Sequence, residues 1–148
     1  MTLHAHGQKV LVADQDRTVL ELIQIRLDVA GYHALVARSG QSALEILRNT
    51  RPAGLVLDLD LPEIDGFELL QRINPTGGKL FFPVLVIRRQ LSVDDIRRAL
   101  SLGAADCMTK PFSGADVLDR VGRMLKRPVA TPMRTMERPQ QAERVVYV

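Results

Sequence analysis

The chain holds no tryptophan, a single cysteine at Cys107, and no apolar run long enough to cross a bilayer. One cysteine cannot form an intrachain disulfide, so the reduced cytosol is the default compartment and a buried structural thiol is the plain reading of Cys107. The longest apolar stretch, Leu80 to Ile87, is interrupted by Pro83 and falls well short of the ~20 residues that a membrane helix needs. The opening MTLHAHGQK lacks the apolar centre of a signal peptide. These absences lead to the expectation of a soluble cytoplasmic protein with no membrane partner. A concentration of one charge sign is also missing where it would matter. The formal net charge of +3 divides into 16 Lys and Arg against 15 Asp and Glu over residues 1–126, and four Arg against two Glu over 127–148. A nucleic-acid surface needs clustered positive charge, so the nearly neutral main body is not expected to bind nucleic acid. A tail rich in proline and arginine commonly stays solvated, which removes the remaining ground for a DNA-binding reading.

What is present is 148 residues at 46% hydrophobic content, enough for one domain with a sizeable core. KVLVA, Lys9 to Ala13, reads as a buried strand ending on Asp14, Gln15 and Asp16. From Arg17, Leu20, Ile23, Leu27 and Ala30 recur at helical spacing, and Gly31 is a C-terminal stop. Tyr32 to Ala37 alternates like a second strand. Ser39 then caps a helix with Ala43, Leu44, Ile46 and Leu47 on its apolar face, ending near Thr50 before Pro52. A third strand, Leu55 to Asp58, leads through a loop to Gly66 and a helix from Phe67 to about Ile73. Asn74 to Lys79 is a loop by composition. Phe82 to Ile87 is the fourth strand, with Arg88 and Arg89 at its tip, and Ser92 to Ser101 a helix with Asp94, Asp95, Arg97 and Arg98 on its exposed face. Asp106 to Met108 is a short fifth strand running into Thr109, Lys110 and Pro111. Ser113 or Asp116 opens a last helix with Val117, Leu118, Val121 and Leu125 on one face.

Five alternating β/α units predict an α/β domain over residues 1–126, a parallel sheet with helices on both faces. Residues 127–148 read as a linker or tail. The closing RVVYV, 144–148, resembles KVLVA and is either a pairing strand or the start of a second domain, although five β-prone residues are slight ground for a repeat.

This topology brings three strand ends together: Asp14 to Asp16, Asp58 and Lys110. A carboxylate at the tip of a buried strand is poor packing material, and in open α/β sheets that tip is where ligands bind. Adjacent carboxylates repel, and either protonation or a hard divalent cation relieves them. Magnesium is the natural occupant, holding a phosphate against Asp58 while Lys110 neutralises another oxygen. Taken singly, a strand-end Asp or Lys is more often a solvated charge or a loop cap. All of them at the tips of the right strands make that reading hard to sustain. An enzyme acting on a free small molecule is weaker still: Asp60 would have to be its second catalytic acid, and the chain is short.

The acids of ADQD, the LDLDLPEIDG segment and the GAADCMTKPF segment, in that order, resemble the receiver domain of two-component response regulators over about residues 8–126. The resemblance implies a flavodoxin-like, doubly wound sheet of order 2-1-3-4-5. It also implies Asp58 as phosphoacceptor, Lys110 as phosphate-contacting lysine and a cis bond before Pro111. Magnesium is the implied cofactor, held by Asp14, Asp58 and the backbone carbonyl of Asp60. The implied partners are a histidine kinase or phosphotransfer protein and, through the face of helix four, strand five and helix five, a downstream protein or attached output domain. Dimerisation is allowed as well.

Three positions depart from the pattern. Gln15 replaces an acid that normally ligates the metal; one charge about 4 Å from a cation is worth at most a few kcal/mol at an effective dielectric near 20, so a weaker site is expected. Asp16 is a conceivable substitute ligand. Arg88 stands where the family has a small hydroxyl switch; its guanidinium either pairs with Asp58 or Asp14 or points to solvent. Cys107 stands where a rotating aromatic is usual. Two readings follow. One is a phosphorylatable receiver that relays a kinase signal; the other is a degenerate receiver that docks a partner whatever its phosphorylation state.

Overall fold

The computed structural model describes residues 7–78 and 80–126. The expected tail, 127–148, with its strand-like end at 144–148, lies outside the described residues. The elements in order are β1 (Lys9–Ala13), α1 (Arg17–Val29), β2 (His33–Ala37), α2 (Gly40–Asn49), β3 (Gly54–Asp58), α3 (Gly66–Ile73), β4 (Val84–Arg88), α4 (Val93–Ser101), β5 (Asp106–Thr109) and α5 (Gly114–Lys126). The five strands form one parallel sheet of order β2-β1-β3-β4-β5, as expected.

Side chains of a strand alternate between faces, and a sheet covered on both sides is apolar at every position. Leu11, Ala13, Leu55, Leu57, Val84 and Val86 form one core with Ala43, Leu44, Leu69, Leu70 and Ala99 of α2, α3 and α4. Val10, Val12, Val56, Leu85 and Ile87 point the other way, against Leu20, Ile23 and Leu27 of α1 and Val117, Val121 and Met124 of α5. Each buried Val, Leu, Ile or Met among them contributes roughly 1.5–3 kcal/mol of transfer free energy. A charge on the central strands is therefore costly, and Asp14 and Asp58 at their ends stand out.

A strand start and a helix face differ most from expectation. β4 begins at Val84 rather than Phe82, because Pro83 has no N–H for the ladder; its carbonyl still accepts from Leu55 N at 3.0 Å. On α5, Met124 is fully buried while Leu118 and Leu125 are only partly so; the helix is rotated from the face read in the sequence.

The strand order reverses direction between β1 and β3: β1 leads outward to β2, and β3 to β4 and β5. The crevice at such a reversal opens at the C-terminal strand ends. Asp14, Asp58, Arg88 and Lys110 all lie along that edge. Gly66 lets the loop after β3 fold back onto it: a Cβ there would stand 2.8 Å from Leu59 Cα and 2.9 Å from the carbonyl oxygen of Asp58. The same loop covers the start of α2, where Gly40 N donates to Pro62 O at 3.1 Å.

Candidate functional site

Ladder registers set the site. Ala13 pairs with Leu57 across β1 and β3, so Asp14 and Asp58 emerge side by side, and Asp58 pairs with Ile87 of β4. Arg88 pairs with Thr109 of β5, which delivers Lys110 at the same level, and the Lys110–Pro111 peptide is cis. Asp14 is fully buried and Asp58 is 2% exposed. The Lys110 ammonium lies 2.7 Å from Asp14 Oδ2 and 3.4 Å from Asp58 Oδ2. The second oxygen of each acid is held by a backbone N–H two residues on: Asp16 N donates to Asp14 Oδ1 at 2.8 Å and Asp60 N to Asp58 Oδ1 at 3.0 Å. Asp14 Oδ2 is buried without a hydrogen-bond partner; the nearby ammonium holds it as an ion pair, not as an aligned hydrogen bond.

Burial pushes the Asp58 carboxyl above its ordinary range. The Asp60 N–H works against that shift, the charge of Asp14 adds to it, and Lys110 partly offsets it. The site is thus a desolvated carboxylate beside a second acid, with one ammonium between them. Its donors are oxygen only: the carboxylates of Asp14 and Asp58 and the nearby carbonyl of Asp60. Hard divalent cations favour such a set, and Asp14 Oδ2, paired with Lys110 but accepting no hydrogen bond, has a lone pair to offer one. Among the described residues, no three His, Cys, Asp or Glu side chains gather closely enough to suggest a complete metal cage.

The atypical positions sit differently from expectation. Arg88 pairs with neither Asp58 nor Asp14, and it does not simply point to solvent. Its Nε donates to Asp60 Oδ1 at 3.1 Å and one terminal nitrogen to Asp95 Oδ2 at 3.2 Å. The hydrogen bond to Asp60 raises the guanidinium's already high pKa, and burial opposes that rise. Asp16 does not turn inward as a substitute metal ligand, because its carboxylate caps α1 and accepts from Thr18 N at 2.9 Å and Val19 N at 3.5 Å. Gln15 presents a donor rather than an acceptor: its Nε2 donates to Asp60 O at 3.0 Å, the very carbonyl expected to face the metal. Arg38 holds the same loop by donating to Gln15 O at 3.1 Å. Cys107 is only partly buried and lines a groove of about 380 Å³ with Leu91, Ile96 and Phe112. Burial, and then the charge of Asp106, pushes its thiol pKa up.

Sequence reading missed Asp95, which it placed on the exposed face of α4. Asp95 closes a reciprocal cap with Ser92: Asp95 N donates to Ser92 Oγ and Ser92 N to Asp95 Oδ2, each at 3.0 Å. The cap, led by the Ser92 N–H, lowers the Asp95 carboxyl below its ordinary range. The Ser-x-x-acid spacing at 92–95 was the available signal. The side-chain role of Asp60 left no such mark.

Residues 10–122 match the family described as Response regulator receiver domain. The chain is 34% identical over 141 residues to the alkaline phosphatase synthesis transcriptional regulatory protein PhoP of Bacillus subtilis (strain 168), an alignment that covers 95% of this chain and 58% of that protein. It is 36% identical over 119 residues to the response regulator MprA of Mycobacterium sp. (strain KMS), covering 80% and 51%. The chain thus spans about half the length of these curated relatives. Among solved structures, the receiver domain of the Francisella response regulator 1452 matches with a TM-score of 0.74 at 29% identity, covering 81% of this chain and 98% of that one. The chemotaxis response regulator CheY4 of Vibrio cholerae shares the fold, with a TM-score of 0.73 at 24% identity over 80% and 98%.

Proposed function

The chain belongs to the response regulator receiver domain family, and on that footing we propose that Asp58 is the carboxylate that takes the phosphoryl group. Receiver domains are signalling domains of two-component systems, phosphorylated on an aspartate. The observation that carries Asp58 is its position: a carboxylate 2% exposed at the end of the central strand, one oxygen fixed by Asp60 N and the other facing the Lys110 ammonium. In the reaction, an Asp58 oxygen attacks the phosphorus of a phosphohistidine on a histidine kinase or phosphotransfer protein. The new O–P bond forms as the P–N bond breaks, and its electron pair leaves with the imidazole nitrogen. Asp58 must be ionised to attack. Lys110, already between the acids, neutralises charge that gathers on the phosphoryl oxygens.

Receiver domains typically bind magnesium in this acidic pocket. Here Asp14, Asp58 and the Asp60 carbonyl are the groups to hold it, and when bound it would neutralise phosphoryl charge. Gln15 Nε2 must then release the Asp60 carbonyl, which weakens the site relative to one with an acid at that position. The signal passes to a downstream protein or attached output domain through the face of α4, β5 and α5, and a second copy is an allowed partner there. The reading places the domain in the cytoplasm, in keeping with its lone cysteine; no helix among the described residues is long and apolar enough to cross a membrane. Family membership favours this phosphorylated receiver over a module that docks whatever its phosphorylation state.

The test is intact mass after incubation with acetyl phosphate and magnesium, in which an Asp58 oxygen displaces acetate from phosphorus. One added phosphoryl group is expected on the wild-type chain and none on Asp58→Asn. An adduct of equal yield in the variant would move the acceptor elsewhere.

A further inference from the structure

We propose that Arg88 binds the phosphoryl group once it is on Asp58, letting go of Asp95 as it does so, and thereby carries the signal to the start of α4. The inference rests on Asp58 as the phosphoacceptor.

Three observations carry it. Arg88 is the last residue of β4 and follows Ile87, the ladder partner of Asp58. Its guanidinium therefore starts from the strand position beside the acceptor, and the charge of Asp58 already acts on it. Second, its ion pairs are open to water. The Arg88, Asp60 and Asp95 side chains are 30%, 50% and 28% exposed, so water competes for each bond. A phosphoryl group brings about 1.5 to 2 negative charges and three acceptor oxygens. A guanidinium's planar fork matches such a group better than it matches two carboxylates on different elements. Third, the guanidinium joins the loop after β3 to helix α4 directly, with Asp60 on one side and Asp95 on the other. They border a cavity of about 520 Å³ that is also lined by Arg89, Gln90 and Ser92, so the guanidinium is not packed in on that side.

Asp95 keeps its reciprocal cap with Ser92 after Arg88 leaves, so α4 remains folded. What changes is its tether: the helix start is no longer tied through Arg88 to Asp60. A small hydroxyl at position 88 could not reach Asp95, and the small side chain of Cys107 offers no rotating lever. The arginine supplies a route that needs neither.

The experiment uses the full chain with beryllium fluoride and magnesium as a stable phosphoryl mimic, followed by amide NMR on the wild type, Arg88→Gln and Arg88→Lys. In the wild type, amides of Asp58–Asp60 and of Ser92–Asp95 are expected to shift together. Arg88→Gln, neutral and of similar reach, should bind the mimic about tenfold more weakly, as expected for the loss of a charge-assisted contact. At saturation it should still move the Asp58–Asp60 amides but not those of Ser92–Asp95. Arg88→Lys should recover part of the affinity. Wild-type binding with no movement at Ser92–Asp95, or Arg88→Gln with unchanged affinity and unchanged α4 shifts, overturns the role of Arg88 and leaves the Asp58 assignment standing. No response at Asp58–Asp60 in any form overturns both.

Discussion

Two charge clusters lie on the same edge of the sheet, and they differ chiefly in their access to water. The inner one, Asp14, Asp58 and Lys110, has side chains 0%, 2% and 15% exposed. The outer one, Asp60, Arg88 and Asp95, has side chains 50%, 30% and 28% exposed. Both contain two acids and one base, but desolvation makes the inner charges interdependent, whereas water can replace any partner in the outer set. The inner cluster is suited to reactivity, because a carboxylate out of water beside a second acid is under-solvated, so a cation relieves it and its oxygen is free to attack phosphorus. The outer cluster is suited to exchange of partners. Breaking each should therefore have consequences of different size.

The largest effect is expected from Lys110→Met, which retains an apolar stem and removes the one ammonium between two buried acids. In metal-free buffer at neutral pH the loss should be about 3 kcal/mol, the scale for removing one partner of a buried ion pair. It is measurable as a lower urea midpoint. The loss should shrink in acid as Asp58, whose carboxyl is raised above its ordinary range, protonates. A change no larger than that of an exposed pair would mean that water reaches the inner cluster, and the contrast between the clusters would fall.

A smaller effect, of opposite sign, is expected at Asp58 itself. Its folded-state pKa is raised, first by burial and then by Asp14, over the opposing pull of Asp60 N and Lys110. The folded protein therefore holds the Asp58 proton more tightly than the unfolded chain does. The associated stability is fully present below the ordinary carboxyl range near 4 and is lost as pH rises through the raised folded value. Asn carries no such titration. In metal-free buffer Asp58→Asn should gain on the wild type as pH climbs through that window, reaching a plateau above it by less than the Lys110→Met loss. Urea midpoints taken from pH 4 to 8 decide this; parallel curves would mean that Asp58 is not strained by its burial.

These inner residues were legible in the sequence for the same reason that they are sensitive. Val10 to Ala13 and Leu55 to Leu57 are uninterrupted apolar runs, so the acids that end them had to be placed by something other than packing. The sheet order needed the family resemblance, because periodicity identifies strands but not their neighbours. The outer cluster was hidden. Arg88 meets Asp60 only because the loop through Gly66 folds back over the strand ends, and it meets Asp95 only because α4 starts beside them; neither approach leaves a local pattern. The Ser92 and Asp95 cap did leave one, in its three-residue spacing. The burial of Met124 over Leu125 turned on a small helix rotation that a mixed apolar face cannot specify.

The smallest effect should come from the rim, at Gln15. Its amide is exposed and its single bond to Asp60 O, 3.0 Å long, is replaceable by water, so folding stability has little at stake there. Its leverage is on magnesium. Gln15→Asp removes the donor from the Asp60 carbonyl and sets a third acid beside Asp14 and Asp58. A new unit charge about 4 Å from a cation gains at most roughly 4 kcal/mol per unit of cation charge at an effective dielectric of 20, and repulsion among the three acids, present with and without metal, leaves that difference unchanged. Hydration of both ions and exposure of the new side chain take back most of it, leaving a dissociation constant about tenfold lower, or about 1.4 kcal/mol. Magnesium titration followed at the Asp58 and Asp60 amides measures the gain. Metal-free stability should fall slightly through the added repulsion. If affinity is unchanged, the bond from Gln15 is not what limits the metal, and the limit lies in the position of the loop, which Arg88 holds from its other side through the Asp60 carboxylate.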